Sequence, residues 1–390
     1  MIVLKIIRKE IEVVDNSFST VSSLLEFLER GQPADFPVAN EKKAYVDRYK
    51  ELDRYFSEFP VEMGAMKKEI DQWKENLNNQ LMEVVKIPDI TERTQKTEKL
   101  LSEDKIIFLN KHGPEHISKV REKALEILKC FSRSTPSYYE VFLLLCSISV
   151  HDVGNLFGRA NHEKRINGML DKACANIIDD AVERRIIAII AGVHGGQINN
   201  DKDTISAIKE TEIINNMVVH EQLLAAVLRF ADELADDSSR AVYPALNSGI
   251  LGEASEIFHV YSSKLHTVKL QQNPVTLAWE VVLRFEIDEE TAKKQFSKGT
   301  KKVYLLDEIY DRTLKMERER RYCMRFIRMY CSIETINVEI TIENPENVFD
   351  SEIIKYILQE KGYPDSPFNT IKDVNKEILT GAEMADKLSK

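Results

Sequence analysis

Residues 140–155, EVFLLLCSISVHDVGN, decide the fold of this chain. The run from Val141 to Val150 is almost entirely apolar, which predicts a buried helix. This helix leads directly into His151 and Asp152, so it carries an imidazole and a carboxylate into the interior. A buried charge must be compensated by a partner or a metal ion. Because neighbouring side chains on a helix point about 100° apart, the two residues can converge on one ion only where a helix end or other helices bring further ligands.

Two other segments offer such ligands. His116 lies in HGPEHISKVREKALEIL, and Asp232 lies in LLAAVLRFADELADD, and both segments show the apolar spacing of amphipathic helices. We therefore interpret four residues as the primary metal site: His116, His151, Asp152 and Asp232. The alternative is four separate polar residues, each capped or hydrogen-bonded. Two imidazoles and two carboxylates suit a first-row divalent ion that keeps open or water-filled positions.

The order of His, then His-Asp, then Asp resembles the HD-domain superfamily of metal-dependent phosphohydrolases. EHISKV is similar to the first helix of that family, CSISVHDVGN to its His-Asp helix end, and LRFADELADDSSR to its last helix. The resemblance covers roughly residues 100 to 245. It implies a helical bundle with a divalent ion in its interior, which would be manganese, iron, nickel, cobalt, zinc or magnesium. The chain also resembles long HD proteins of bacterial conflict and defence loci, which implies a role in antiviral defence.

His162 and His194 form a second group of candidates. Relatives with two metals place additional histidines between the His-Asp pair and the final Asp, and these two residues occupy that interval. The resemblance thus implies one or two ions per chain, with His162 and His194 in catalytic positions. The alternative is that both contact substrate phosphate or water without binding a second ion.

Four polar residues near these ligands are candidates for substrate binding: Asn155, Arg159, Lys164 and Arg240. Asn155 follows the His-Asp pair by three residues and is close enough to bond a ligand. Arg159 and Lys164 flank His162 and can supply positive charge to a phosphate, or they belong to a solvated helix start. Arg240 matches the Arg that follows the last Asp in similar sequences and can hold a phosphate or a neighbouring acid.

Two residues at the start of the first HD-like helix are also candidates. Glu115 precedes His116, and we expect either water or an acid such as Glu115 to protonate the leaving oxygen. His112 lies four residues before His116, but Gly113 and Pro114 argue against one continuous helix. His112 is therefore either at the edge of the site or a surface residue.

The composition is that of a soluble globular protein. The 390 residues are 43% hydrophobic and 30% charged, and the five cysteines include no CxxC pair, which favours a reducing compartment and opposes a zinc ribbon. The N-terminal MIVLKIIRKEIEVV is interrupted by Lys and Glu too often for a signal peptide, and no apolar run approaches the roughly 20 residues that span a bilayer. A net charge of −10 opposes binding to nucleic acid or to an anionic membrane. We expect a cytoplasmic protein.

The pattern predicts a mainly α fold, an HD-type helical bundle with an N-terminal helical region and a smaller C-terminal α+β domain. The N-terminal helices are LLEFLER, AYVDRYKELDRYFSEF and IDQWKENLNNQLMEVV. The α+β domain has strands at HTVKLQQ, TLAWEVVLRFEID and INVEITIEN, with a long helix from about Val303 to Cys331. We expect SEIIKYILQEKGY to form a final amphipathic helix, followed by a polar tail that frays. The predicted domains are 1–98, N-terminal helical; 99–250, HD; 251–345, α+β; and 346–390, C-terminal helix and tail.

These features predict a hydrolase that cleaves phosphate esters or anhydrides of a small nucleotide with metal-activated water. One alternative is a nucleotide- or metal-binding regulatory or effector subunit of a defence or signalling assembly. Another is an HD nuclease, against which the acidic balance argues. The terminal domains carry no chemistry of their own, so we expect them to serve homo-oligomerisation or a protein partner.

Overall fold

The computed structural model describes residues 17–37, 42–62, 114–132, 136–157, 162–198, 200–214, 216–241, 253–298, 301–344, 351–360 and 370–389, with residue 246 and a few short stretches between 79 and 96. The predicted helix IDQWKENLNNQLMEVV falls mostly outside these residues, as do His112 and Arg159.

Twelve α-helices lie within the described residues. They are α1 (Leu24–Arg30), α2 (Lys42–Glu62), α3 (Pro114–Lys129), α4 (Tyr138–Val150), α5 (Ile166–Ala173), α6 (Ala181–Gly192), α7 (Glu221–Leu234), α8 (Glu253–Lys264), α9 (Glu289–Lys293), α10 (Leu305–Ile327), α11 (Ile371–Val374) and α12 (Gly381–Leu388).

The described residues also form eight strands. They are β1 (Glu212–Ile214), β2 (Met217–Val219), β3 (Leu265–Gln272), β4 (Trp279–Asp288), β5 (Gln295–Lys298), β6 (Lys301–Tyr304), β7 (Ile333–Glu343) and β8 (Glu352–Gln359). The strand pairs β1–β2 and β5–β6 are short hairpins, which the sequence pattern did not predict. The predicted mainly α fold with a smaller α+β region is confirmed.

Helix α4 is the centre of the bundle. It contacts α1, α2, α3, α6 and α7, and nearly every one of its residues is buried, as its apolar sequence predicts. It begins at a capping box in which the Ser137 hydroxyl accepts from the backbone of Glu140 and the Glu140 carboxylate accepts from the backbone of Ser137. It ends at His151, so the His-Asp pair stands where the buried helix stops.

The C-terminal region holds a four-stranded sheet in the order β3-β4-β7-β8. The two central strands, β4 and β7, are parallel, and both edge strands pair antiparallel with their neighbours. The alternation predicted for β4 is observed, because Val281, Leu283, Phe285 and Ile287 are all buried. Helix α10 lies in the connection between β4 and β7, and it contacts both the sheet and α7 of the bundle. It is therefore the element that joins the two parts.

Two predictions for the last forty residues are wrong. SEIIKYILQEKGY is not a helix, because Glu352–Gln359 form β8, and this strand extends the sheet beyond residue 345. The polar tail is not frayed at its end either, because α12 begins at a capping box between Thr380 and Glu383 and buries Met384. Pairing with β7 stabilises residues 352–359 as a strand, and packing of the apolar Met384 side chain stabilises the C-terminal helix.

All five cysteines are free thiols within the described residues, and all are buried: Cys130, Cys146, Cys174, Cys323 and Cys331. Among the described helices, none combines the length and the apolar character that crossing a membrane requires.

Candidate metal centre

Three helices of the bundle bring the predicted primary ligands together. His116 lies in the first turn of α3, His151 and Asp152 follow the end of α4, and Asp232 lies near the end of α7. The Nε2 atom of His116 is 3.1 Å from Asp232 Oδ1 and 3.7 Å from Asp152 Oδ2. The Nε2 atom of His151 is 3.4 Å from Asp152 Oδ2 and 3.6 Å from Asp232 Oδ1. The four side chains thus point their ligand atoms at one small volume.

Asp152 also faces a second group of side chains. Its Oδ1 atom is 3.3 Å from His162 Nε2 and 3.9 Å from His194 Nε2, whereas its Oδ2 atom faces His116 and His151. Among the described residues, two clusters could hold a metal ion: His116, His151 and Asp152 form the first, and Asp152, His162 and His194 form the second. Within each cluster the ligand atoms lie within 4.8 Å of one another, and Asp152 belongs to both.

Backbone hydrogen bonds fix the imidazole orientations. His151 Nδ1 is 2.8 Å from the carbonyl oxygen of Ile148, and His194 Nδ1 is 2.6 Å from that of Ala191. A carbonyl oxygen only accepts, so each Nδ1 carries a hydrogen and each Nε2 is the atom left to face the cluster. The Nε2 atom of His151 is buried and makes no hydrogen bond. A backbone carbonyl that orients the ring in this way is typical of metal-ligating histidines, and the donor set fits a first-row divalent ion.

Two glycines allow the chain to close around His162. A Cβ atom at Gly154 would lie 2.0 Å from the carbonyl oxygen of His162, so only glycine permits this approach. Gly196 has a φ of +69°, and a Cβ atom there would lie 2.4 Å from Glu163 Oε1. Glu163 in turn lies 3.4 Å from His162 Nδ1. Both glycines therefore help to place His162 opposite Asp152.

The electrostatics of the cluster favour a bound cation. Burial alone would lower the pKa of His151, but Asp152 and Asp232 outweigh it and raise this pKa well above its ordinary value. Burial opposes ionisation of Asp232, yet the neighbouring imidazoles of His116 and His151 hold its pKa well below the ordinary value. Burial, together with the neighbouring His151, lowers the pKa of His194 to about 4. The carboxylates thus attract positive charge, which a divalent ion can supply in place of protons.

The centre opens into a cavity of about 920 Å³ between the bundle and the C-terminal region. Asp152, His162, His194 and Asp232 all line it. Its other lining residues include several from the loop after His194, from α7, from α8 and from one face of α10.

The predicted substrate-binding residues lie in different places. Asn155 lines the cavity and donates from Nδ2 to Asp152 Oδ1 at 2.9 Å. Lys164 and Arg240 line the cavity, and Arg240 Nη1 is 3.9 Å from Asp236 Oδ1. Glu115 is exposed in the first turn of α3 and is not among the lining residues.

Sequence reasoning missed the contribution of the C-terminal region. Lys298, Arg312 and Lys315 line the cavity opposite the metal clusters, and Arg312 and Lys315 belong to α10. The sequence showed only a helix rich in Glu and Arg. The charged residues of α10 are spaced three and four positions apart, which predicts that they share one face of the helix. This pattern does not show that the face lines a cavity.

Comparison with known proteins agrees with this geometry. Residues 88–273 match the HD-CE family, and this range includes all the residues of both metal clusters. Neither the curated proteins nor the solved structures gave a match. The match over residues 88–273 supports the assignment of this part of the chain to the HD-domain superfamily.

Proposed function

We propose that the protein is a metal-dependent phosphohydrolase whose substrate is a small nucleotide. The observation that carries the proposal is the pair of His/Asp clusters that share Asp152 and open into one cavity. Divalent ions held there would lower the pKa of a bound water molecule and offset negative charge on phosphoryl oxygens. We propose one ion in each cluster, with His162 and His194 as ligands of the second.

The surrounding side chains position the reacting groups. Asn155 holds one oxygen of Asp152 through its amide, so the orientation of the shared carboxylate is fixed. Lys164 and Arg240 bring positive charge to the cavity and can bind phosphoryl oxygens that the ions do not. His162 faces both Asp152 and the cavity, so it can also contact the leaving group. Glu115 is exposed, which favours water as the proton donor to the leaving oxygen.

The cavity favours a compact substrate over a polymer. Its volume lies within the range of about 300 to 1,000 Å³ that is usual for small-molecule sites. Its walls also carry the carboxylates of Glu233, Asp236 and Asp311, which oppose a long polyanion. A groove for nucleic acid would instead need several cations that track consecutive phosphates.

The proposal is tested by two assays. One measures the release of phosphate or pyrophosphate from mononucleotides and cyclic nucleotides, and the other measures the degradation of labelled single-stranded DNA and RNA. Both assays use the same manganese or magnesium concentration. We expect turnover of at least one mononucleotide, loss of that turnover in Asp152→Ala, and normal turnover in Asp386→Ala, a carboxylate exposed at the opposite end of the chain. Cleavage of polymer alone would support the nuclease alternative.

Metal binding without turnover of any nucleotide would support the other alternative, a regulatory or effector subunit. The complete ligand set favours the enzyme, because a sensor need not keep both clusters. We further propose that the protein acts in the cytoplasm, in antiviral defence. In this proposal residues 99–250 are the catalytic domain, and residues 1–98 together with the region after 250 serve self-association or a protein partner.

A further inference from the structure

One wall of the cavity comes from outside the HD domain. The lining residues of α10 are Glu308, Asp311, Arg312, Lys315, Met316 and Glu319. They recur every three or four residues and so form one face of this helix. The opposite face, which includes Ile309, Thr313 and Leu314, is buried. All these positions follow residue 273, where the match to the HD-CE family ends.

Lys315 of α10 is paired with a residue next to a candidate ligand. Its Nζ atom is 2.6 Å from Glu233 Oε2, and Glu233 directly follows the candidate ligand Asp232. The side chain of Lys315 is 60% exposed, although it lines the cavity. An ammonium group has three donors, so Lys315 can keep Glu233 and also donate to a ligand in the cavity.

Arg312 lies one turn before Lys315 and is held rigidly. It donates from Nη1 to Asp236 at 2.9 Å and from Nε to Glu308 at 2.8 Å, and its guanidinium lies 4.3 Å from the ring centre of Tyr261. A guanidinium has five donors, and these two bonds use two of them. Arg312 therefore adds a second positive charge to this face of α10, one turn before that of Lys315.

We propose that Lys315, supported by Arg312, binds a second phosphate group of a ligand whose first phosphate lies at the metal clusters. The proposal deepens the proposed function, on which it rests, because it names the ligand as a small molecule with two or more phosphate groups. The C-terminal region then determines specificity, since it supplies the side chains that distinguish such a ligand from a simple phosphate monoester.

The test compares two probes with carbon–phosphorus bonds that the protein cannot hydrolyse. Methylenediphosphonate carries two phosphonate groups and methylphosphonate carries one. Calorimetry in excess Mg²⁺ measures the dissociation constant of each for the full chain and for Lys315→Ala, Lys315→Arg and Lys355→Ala. Lys355 is the matched control, because it lies on β8 in a similar ion pair, 3.0 Å from Glu339 Oε2, and is 64% exposed.

We expect Lys315→Ala to weaken binding of methylenediphosphonate about tenfold relative to methylphosphonate, which corresponds to one charge-assisted hydrogen bond. Lys315→Arg should retain most of this preference, and Lys355→Ala should retain all of it. An equal loss for both probes, or no loss for either, would overturn the proposal, and so would failure of the unmodified chain to bind methylenediphosphonate.

The same variants separate this proposal from the function on which it rests. If the chain hydrolyses a nucleotide but its preference for methylenediphosphonate over methylphosphonate does not depend on Lys315, the phosphohydrolase proposal is supported and the second phosphate site is rejected. If that preference depends on Lys315 but no nucleotide is hydrolysed, the second phosphate site is supported and the phosphohydrolase proposal is rejected.

Discussion

Asp152 presents its two carboxylate oxygens to different pairs of histidines. His116 and His151 lie on one side of it, and His162 and His194 lie on the other. Substitution of any one of these four histidines therefore removes a candidate ligand from one cluster, whereas substitution of Asp152 removes a candidate ligand from both.

This difference predicts distinct metal contents. Elemental analysis should approach two ions per chain in the unmodified protein, about one in His162→Ala or His194→Ala, and far below one in Asp152→Ala. Circular dichroism should show that all variants remain folded, and Asp386→Ala should keep the full content. A constant content of one ion in the unmodified chain and in both histidine variants would assign His162 and His194 to substrate contact.

Gly154 permits a prediction about the second cluster alone. Gly154→Ala adds a Cβ atom where the His162 carbonyl oxygen lies, so the His162 segment must move and the second ion should be lost while the first remains. The matched control is Gly168→Ala in α5, where a Cβ atom meets nothing within 4 Å. That control should keep both ions and gain about 0.5 to 1 kcal/mol in the free energy of unfolding. Full metal content in Gly154→Ala would show that the close approach is not needed.

Single elements differed in how far the sequence could predict them. The helices that carry the candidate ligands, α3, α4 and α7, were predictable, because the apolar spacing of each fixes its buried face. Strand β8 was not predictable. Its buried residues are Ile354, Tyr356 and Leu358, but Ile353 and Ile357 are exposed on its other face. Apolar residues on both faces imitate helical spacing, and only pairing with the distant β7 selects the strand.

The cavity wall on α10 escaped prediction for a similar reason. Alternating Glu and Arg on a long helix normally indicate a solvated face, and the sequence does not show that the bundle lies opposite. Lys315 reaches Glu233 across about eighty residues of chain, and Arg229 reaches Glu319 over a similar separation. Contacts of this length depend on the packing of whole elements.

The start of α7 carries a buried acid, from which a pH dependence follows. Burial, with Glu212 beside it, raises the pKa of Glu221 from an ordinary 4.5 to about 7. When folding raises the pKa of a carboxyl group, the free energy of unfolding falls as the pH rises above the pKa of that group in the unfolded chain. The loss is complete once the pH exceeds the pKa of the group in the folded chain. Stability contributed by the protonated Glu221 is therefore lost between about pH 4.5 and 7.

Glu221→Gln should remove this loss. The difference in free energy of unfolding between the variant and the unmodified chain should grow from near zero at pH 4 to about 1 to 2 kcal/mol at pH 8, after allowance for partial solvation. Urea denaturation across that pH range measures it. Glu290→Gln, an exposed first-turn acid of α9, should show no such trend. A flat difference for Glu221→Gln would show that this carboxyl ionises normally.

The bundle and the C-terminal region share one hydrophobic core at the scale of the whole molecule. A single cluster of buried residues runs from Phe18 to Met384, and α10 contacts both α7 and the sheet. The ion pair between Arg229 and Glu319 crosses the same interface, with Arg229 Nε 2.7 Å from Glu319 Oε2.

We therefore expect a single cooperative thermal transition. Far-ultraviolet circular dichroism follows the helices, and Trp279 fluorescence follows β4 in a Trp73→Phe background. The two curves should coincide. Glu319→Gln should lower both midpoints together, because it leaves the buried Arg229 without its charged partner. Separate midpoints would show that the two parts unfold independently.

All five cysteine thiols are buried, so they should react slowly with thiol reagents. Burial raises the pKa of Cys174 and of Cys331 to about 12, and it holds the pKa values of the other three above their ordinary range as well. Because the thiolate is the form that reacts with maleimides, the folded chain should resist labelling with such dyes. A cysteine introduced on the sheet, as in Lys355→Cys, would then be the one fast-reacting position. The native sequence can therefore carry a single fluorophore without first being stripped of its own cysteines.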